Sequence, residues 1–170
     1  MPDTVIREIE STEYHLLEDF LYLAIFLPPG VEPPSREIIF VPEIYIYIKD
    51  FGGKDDYGVV AEKDGQIIGA AWVRIISAYG HIDDETPELA ISVLPEYRGH
   101  GVGTSLMTFL FDLLREHEYS RTSLSVQKNN PAVRFYNRLG YTVTDEKLDH
   151  AGHDDYIMIK ELILFLTDGI

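Results

Sequence analysis

The sequence predicts an α/β (mixed α+β) fold: a central, mixed and mostly antiparallel sheet with helices packed on its faces. Three observations predict it. Apolar residues alternate in some segments and recur at helical spacing in others, in the order strand, two helices, three strands, helix, strand, helix, two strands. Asp64-Gly65 joins two alternating runs, Tyr57–Glu62 and Gln66–Ile76, as a hairpin. A glycine-rich turn leads from a compact apolar strand, Glu88–Val93, into a helix over Gly101–His117.

Each element has its own signal. Thr4–Ile9 alternates polar and apolar side chains as a short edge strand does. Ser11 caps the next helix, in which Tyr14, Leu17, Phe20, Leu21 and Ala24 share one face. Pro28, Pro29, Gly30, Pro33 and Pro34 break the chain into a loop long enough to lie over a site. Pro42 opens a second short helical stretch that ends near Gly52-Gly53. In Gly101–His117, Leu106, Phe109, Leu110, Leu113 and Leu114 line one helical face, and Thr122–Val126 follows as a strand. Pro131–Leu139 carries proline in its first turn and Gly140 just past its end, where each is favoured in a helix. Tyr141–Glu146 and Tyr156–Leu162 alternate and pair as the last two strands.

A chain of 170 residues, 45% hydrophobic, suits one domain spanning 1–170. With no cysteine there is no disulfide, thiolate metal site or cysteine nucleophile, which fits a reducing cytoplasm. Apolar runs such as Leu162–Leu166 fall far short of the roughly 20 residues of a membrane-spanning helix. Acidic residues begin at Asp3, unlike the basic-then-apolar start of a secretory signal. The net charge of −15 argues against general nucleic-acid binding, because a phosphate backbone would be repelled, and it suits a cationic partner. The charge is uneven: Arg98–Arg138 holds six bases and three acids, a net +3, while the other 129 residues carry −18.

The sharpest local feature runs from Val93 to Thr104, with glycines at 99, 101 and 103. Free N–H groups at a helix start, with the helix dipole behind them, favour phosphate, and Arg98 adds a positive charge at the rim. A dinucleotide fingerprint starting at Gly99 would need glycine at position 104, where Thr104 stands, and the lysine of a phosphate-binding P-loop is missing. The glycines otherwise serve only a tight turn.

Arg98-x-x-Gly101-x-Gly103 resembles the [QR]-x-x-G-x-[GA] turn of the GCN5-related N-acetyltransferases, the GNAT family. Ile91-Ser92-Val93 with Pro95-Glu96-Tyr97 is similar to that family's fourth strand and its exit. A second block about 30 residues on, Asn129-Asn130-Pro131-Ala132-Val133-Arg134-Phe135-Tyr136 with Leu139-Gly140-Tyr141, resembles its N-x-x-A-x-x-x-Y…L-G-[FY] segment. The resemblance covers about Tyr57 to Leu162, and the first 50 residues, which often shape the acceptor pocket in the family, fit only by element order.

The resemblance implies the acyl-CoA N-acyltransferase fold, acetyl-coenzyme A as donor, and direct transfer to a primary amine of a small molecule or peptide. It places the pyrophosphate on Gly99, His100, Gly101, Val102, Gly103 and Thr104, and the pantetheine arm beside Ile91, Ser92 and Val93. A main-chain N–H near Val93 would polarise the thioester carbonyl. Asn129, or Asn130 one residue on, would bond the arm. Tyr136 matches the family's general acid, unless it simply packs beside Phe135. Glu88 resembles the carboxylate some members use to take the amine proton; its alternative is a solvent-facing strand position. Other members carry a glutamate on the fifth strand, where this chain has Ser125, which cannot act as a base.

His81, His150 and His153 fall in loops that could reach a site, and no His-x-His or H-E-x-x-H spacing points to a metal. Tyr45 and Tyr47 are placed to face an acceptor. Family habit implies a homodimer, for which Ile44–Ile48 supplies an apolar surface unless it is core. A non-catalytic acyl-coenzyme A sensor is the alternative function.

Overall fold

The alternating segments pair into one seven-stranded sheet in this computed structural model, which describes residues 3–162. β1 (Thr4–Glu8), β2 (Tyr57–Lys63), β3 (Gln66–Arg74) and β4 (Glu88–Val93) lie side by side and antiparallel. β5 (Arg121–Gln127) joins β4 in parallel, and β7 (Asp154–Glu161) and β6 (Thr142–Leu148) complete the sheet antiparallel. Four α-helices accompany it: α1 (Leu17–Ala24), α2 (Pro42–Tyr45), α3 (Val102–Glu116) and α4 (Ala132–Arg138).

Alternation along the strands divides the interior into two cores. Leu89 and Val93 of β4 and Leu124 and Val126 of β5 pack with α3, with Ile91 and Tyr136 joining at its margin. Val60, Ala70 and Trp72 instead meet α1 and the α2 segment, with Ala90 beside them. Successive residues of β4 therefore serve opposite faces. Leu89, Ile91 and Val93 face α3, while Glu88, Ala90 and Ser92 face α1 and α2.

A buried ionic clamp fixes the α2 segment. Arg74, at the end of β3, pairs bidentately with Asp56 (3.0 and 3.1 Å) and donates to the carbonyls of Ile46 (2.9 Å) and Lys49 (2.7 Å). Trp72 Nε1 donates to the Tyr47 carbonyl at 2.9 Å, so two neighbouring β3 residues hold one turn of chain.

The fold matches the expected class, with local corrections. Ser11 is not the cap: Glu10 stands there, its N–H bonded by the Glu13 side chain at 2.9 Å, and a 3-10 turn over Ser11–Leu16 precedes α1. α2 starts at Pro42 after a 3-10 turn at Arg36–Phe40, is four residues long, and gives way to turns that run to Asp50, with Asp50 and Gly52 both at positive φ. β7 begins at Asp154, two residues before the alternation suggests, and Tyr141 is buried core before β6 begins. Ile44, Tyr45, Tyr47 and Ile48 pack into the α1–α2 core, so this stripe is not a free apolar surface. Of the run Leu162–Leu166, all but Leu162 lies outside the described residues. No helix among the described residues is long and apolar enough to cross a membrane.

Candidate active site

The sheet is open at its middle. β4 and β5 register at a single pair, Glu88 with Ser123. Around that point they are fastened: Ser123 N–H donates to Pro87 O (3.0 Å), Thr122 Oγ1 to Pro87 O (2.8 Å) and Ser123 Oγ to Gly80 O (2.6 Å). Beyond it they part, and a cavity of about 450 Å³ lies between Leu89, Ala90 and Ile91 on one side and Ser125, Val126 and Gln127 on the other. Leu94 N–H bonds Ile68 O, so by antiparallel alternation Ser92 and Ala90 turn their main chain to β3 while Ile91 and Val93 turn theirs to the opening.

On the α3 side of the opening sits the glycine turn. Gly99 (φ 77°) and Gly101 (φ 82°) adopt the left-handed conformation, and a Cβ on either would meet open space. Their glycine requirement is conformational. Gly103 differs, because its Cβ would lie 3.3 Å from Phe135 of α4. Gly101 caps the fifteen-residue α3 with no side-chain hydrogen bond, and the first turn of α3 carries no acid, which leaves donors for an anion. Arg98 is tethered, its Nε donating to Val93 O at 2.9 Å, and His100 Nδ1 lies 2.9 Å from Arg98 O. Tyr136, half-buried on α4, lines the cavity, and burial pushes its phenol up to about 12.

The opposite face holds Glu88. It is 2% exposed and buried beside α2, where Tyr47 donates its hydroxyl to Oε2, while Oε1 has no hydrogen-bond partner among the described residues. Burial pushes the Glu88 carboxyl up to about 7, against the opposing pull of hydrogen bonds from Tyr47 and Gly80. Burial, and then the Glu88 charge, drives the Tyr47 phenol upward, while Ser125 bonds its hydroxyl. Tyr47 and Ser125 both line the cavity, so Tyr47 stands between Glu88 and the open volume.

The cavity is roofed by two parts of the chain. Phe26, Leu27, Pro28, Val31 and Pro34 bring the proline-rich loop over the cavity, as its length predicts. Tyr79 contacts His150 from the last hairpin, its oxygen 2.6 Å from Nδ1 and 3.0 Å from the backbone N–H. His153 Nδ1 lies 3.0 Å from Asp149 Oδ2. Burial, and then the Asp149 charge, pushes the Asp155 carboxyl up to about 6.

The structure thus brings Ile91 and Tyr136 to the cavity, with Glu88 one side chain behind it. The Ser92 hydroxyl is committed to Phe20 O at 2.6 Å and its main chain is turned to β3, so the expected place for Ser92 beside the donor arm is not supported. Asn129 is exposed and away from the cavity lining. Asn130 lines it and also caps α4 through Ala132 N–H at 2.9 Å. His81 turns to Ile76 O at 2.9 Å, and Tyr45 packs against Phe40 (centroids 5.4 Å apart) rather than lining the cavity. Tyr47 as the partner of Glu88 and Asp155 as a buried carboxylate were missed. The sequence signal for the first was only a tyrosine in the acceptor segment; for the second, an aspartate beside the hairpin loop.

The chain is similar in sequence and fold to known proteins. The chain is 32% identical over 129 residues to the 5-NmdU N-acetyltransferase of Pseudomonas phage PaMx11, covering 69% of this chain and 86% of that protein. It is 28% identical over 130 residues to an N-alpha-acetyltransferase of Sulfurisphaera tokodaii, covering 69% and 77% of the two chains. Coverage of other relatives is smaller: the match spans 51% of a Bacillus subtilis protein provisionally named a ribosomal protein bS18-alanine N-acetyltransferase, and 28% of a Streptomyces griseus mycothiol acetyltransferase. The solved structure of the Escherichia coli ribosomal-protein-S18-alanine N-acetyltransferase superposes with a TM-score of 0.67 over 97% of both chains, at 19% identity. The model of the acetyltransferase (GNAT) family matches residues 17–141, and the chain belongs to that family.

Proposed function

We propose that the protein is an N-acetyltransferase that moves the acetyl group of acetyl-coenzyme A directly onto a primary amine of a small molecule or peptide. One observation carries the reading: a cavity through the β4–β5 opening is lined by a neutral phenol, Tyr136, and by Tyr47, behind which lies the buried, partly unpartnered carboxylate of Glu88. The residues present fit the donor. The Ile91 and Val93 main-chain groups suit an extended amide-bearing arm, and the acid-free start of α3 behind Gly99 and Gly101 suits a pyrophosphate. A solved GNAT-fold structure from Salmonella typhimurium, TM-score 0.64 at 21% identity over 95% of both chains, is described with its cofactor acetyl-CoA.

When bound, the donor supplies the acyl carbon and a thiolate leaving group. The chain's own residues manage the protons. An alkylammonium loses its proton near 10.4, so a carboxyl near 7 lies about 3 kcal/mol closer to it than one near 4.5. Glu88 is therefore the proton acceptor, reached past Tyr47. Tyr136 keeps its proton throughout the physiological range and can donate it toward the departing sulfur.

The test is thiol release from acetyl-coenzyme A over a broad amine panel, with donor binding followed by calorimetry. Tyr136→Phe should lower kcat by about 100-fold or more while donor affinity changes little. Equal losses in both point to a packing role, and absence of donor binding overturns the proposal. Binding without turnover on any amine would leave the non-catalytic sensor.

A further inference from the structure

The acceptor end of the cavity contains charge that acetyl transfer to a simple amine does not require. Four carboxylates, Glu32, Glu43, Asp149 and Asp155, line the cavity with no lysine or arginine among the described residues. Three of these have ordinary surroundings: Glu32 and Glu43 are exposed, and Asp149 accepts from the N–H groups of Ala151 and His153 (2.9 Å each) and from His153 Nδ1 (3.0 Å). Asp155 is different. It is 5% exposed, and its Oδ1 has no hydrogen-bond partner among the described residues. A buried carboxylate without donors is destabilising unless a cation from elsewhere completes it.

Strand register locates Asp155 relative to Glu88. Asp155 pairs with Gln127, two residues along β5 from Ser125, and on its other side with exposed Lys147 of β6, which makes no ion pair with it among the described residues; paired residues share a sheet face. Val126 packs toward α3, so Ser125, Gln127 and Asp155 all face the α1–α2 side, the side of Glu88 and Tyr47. Two residues of strand and one interstrand step put Asp155 roughly 8 Å from Ser125, backbone to backbone. The same cavity is lined by the apolar side chains of Phe26, Leu27, Val31 and Ile44.

We propose that Asp155 forms a subsite for a second cationic group of the acceptor, making the preferred substrate class an aliphatic diamine whose near amine is acetylated and whose far ammonium pairs with Asp155. The inference rests on the N-acetyltransferase reading. The methylene chain lies along the apolar lining, and the far cation replaces the missing donors of Oδ1.

The experiment compares 1,4-diaminobutane with butylamine in thiol release, then tests two ligands that cannot be acetylated, N,N,N′,N′-tetramethyl-1,4-diaminobutane and N,N-dimethylbutylamine, by calorimetry. We expect the diamine to exceed the monoamine in kcat/KM by on the order of 10- to 100-fold. The same order should hold for binding of the two tertiary amines. In Asp155→Asn both ratios should fall toward one. A wild-type ratio near one overturns the subsite, as does a variant that loses both amines equally. If no amine is acetylated but the dication still binds preferentially through Asp155, the enzymatic reading fails and the subsite stands.

Discussion

Glu88 and Tyr47 are joined across 41 residues of sequence, and their union ties a buried carboxylate to the cavity lining. A glutamate that begins a strand reads equally well as solvent-facing; burial beside α2 is what pushes it up to about 7. Two pH dependences follow. Below about 7 the carboxyl is protonated and cannot accept a proton, so kcat/KM should fall toward tenfold per pH unit on the acid side. Glu88→Gln should lower kcat/KM by about 100-fold or more and abolish that limb, as pH–rate profiles would check. Stability runs the other way. The folded state holds this proton more tightly than the unfolded chain, whose carboxyl titrates near 4.5, so Glu88 destabilises the fold progressively as pH rises from about 4.5 to 7. Glu88→Gln should therefore melt higher than the parent at pH 8, read by thermal denaturation, while losing activity. A residue that only packed would not separate the two.

At the scale of elements, signals local to one segment were readable and those that depend on contact were not. β4 matches its apolar run at Glu88–Val93 because both ends are set locally, the second by Pro95. The α3 start is equally local, since Gly99 and Gly101 supply the left-handed turn and an apolar helical face follows at once. The α2 segment is not. Four helical residues would not hold alone, and Arg74 and Trp72 of β3 fasten the turn that carries Tyr47. Burial alone would raise the Asp56 carboxyl, but Arg74 and the N–H groups of Gly53 and Gly52 outweigh it and hold it below the usual carboxylate range. Arg74→Met would strand that buried charge and free the Ile46 and Lys49 carbonyls. We expect a loss of about 3 kcal/mol or more in urea unfolding, with a fall in kcat as Tyr47 loosens. The proline-rich loop was legible as a cover because of its length, although its target, the β4–β5 opening, follows only from strand pairing.

For the whole molecule, charge and architecture coincide. The stretch from Arg98 to Arg138, net +3, includes the glycine turn, α3, β5 and α4, whereas Asp149, Asp155, Glu32 and Glu43, from the acidic remainder, line the cavity. Under the proposed reaction, the acidic lining would attract a cationic amine and the basic stretch an anionic donor. Raising salt from 0.05 to 0.5 M should lower kcat/KM for the amine several-fold, because screening shortens from over 10 Å to a few ångströms. A rate unchanged by salt would remove steering from the account. The strand order β5-β7-β6 was less readable, because the sequence shows that the last two strands pair but not which of them lies against β5.

The single register point between β4 and β5 makes the sheet two leaves, one of four strands and one of three, hinged at Glu88 and Ser123. Apart from the Val93 carbonyl, which accepts from Arg98 Nε, backbone groups turned to the opening are left for water or a ligand. An extended ligand lodged there acts as an eighth strand, so its binding energy is also cohesion between the leaves. At 100 times its Kd such a ligand adds about 2.7 kcal/mol to the folded state. Amide exchange along Ile91–Val93 and Ser125–Gln127 would slow together, although the two stretches belong to different leaves.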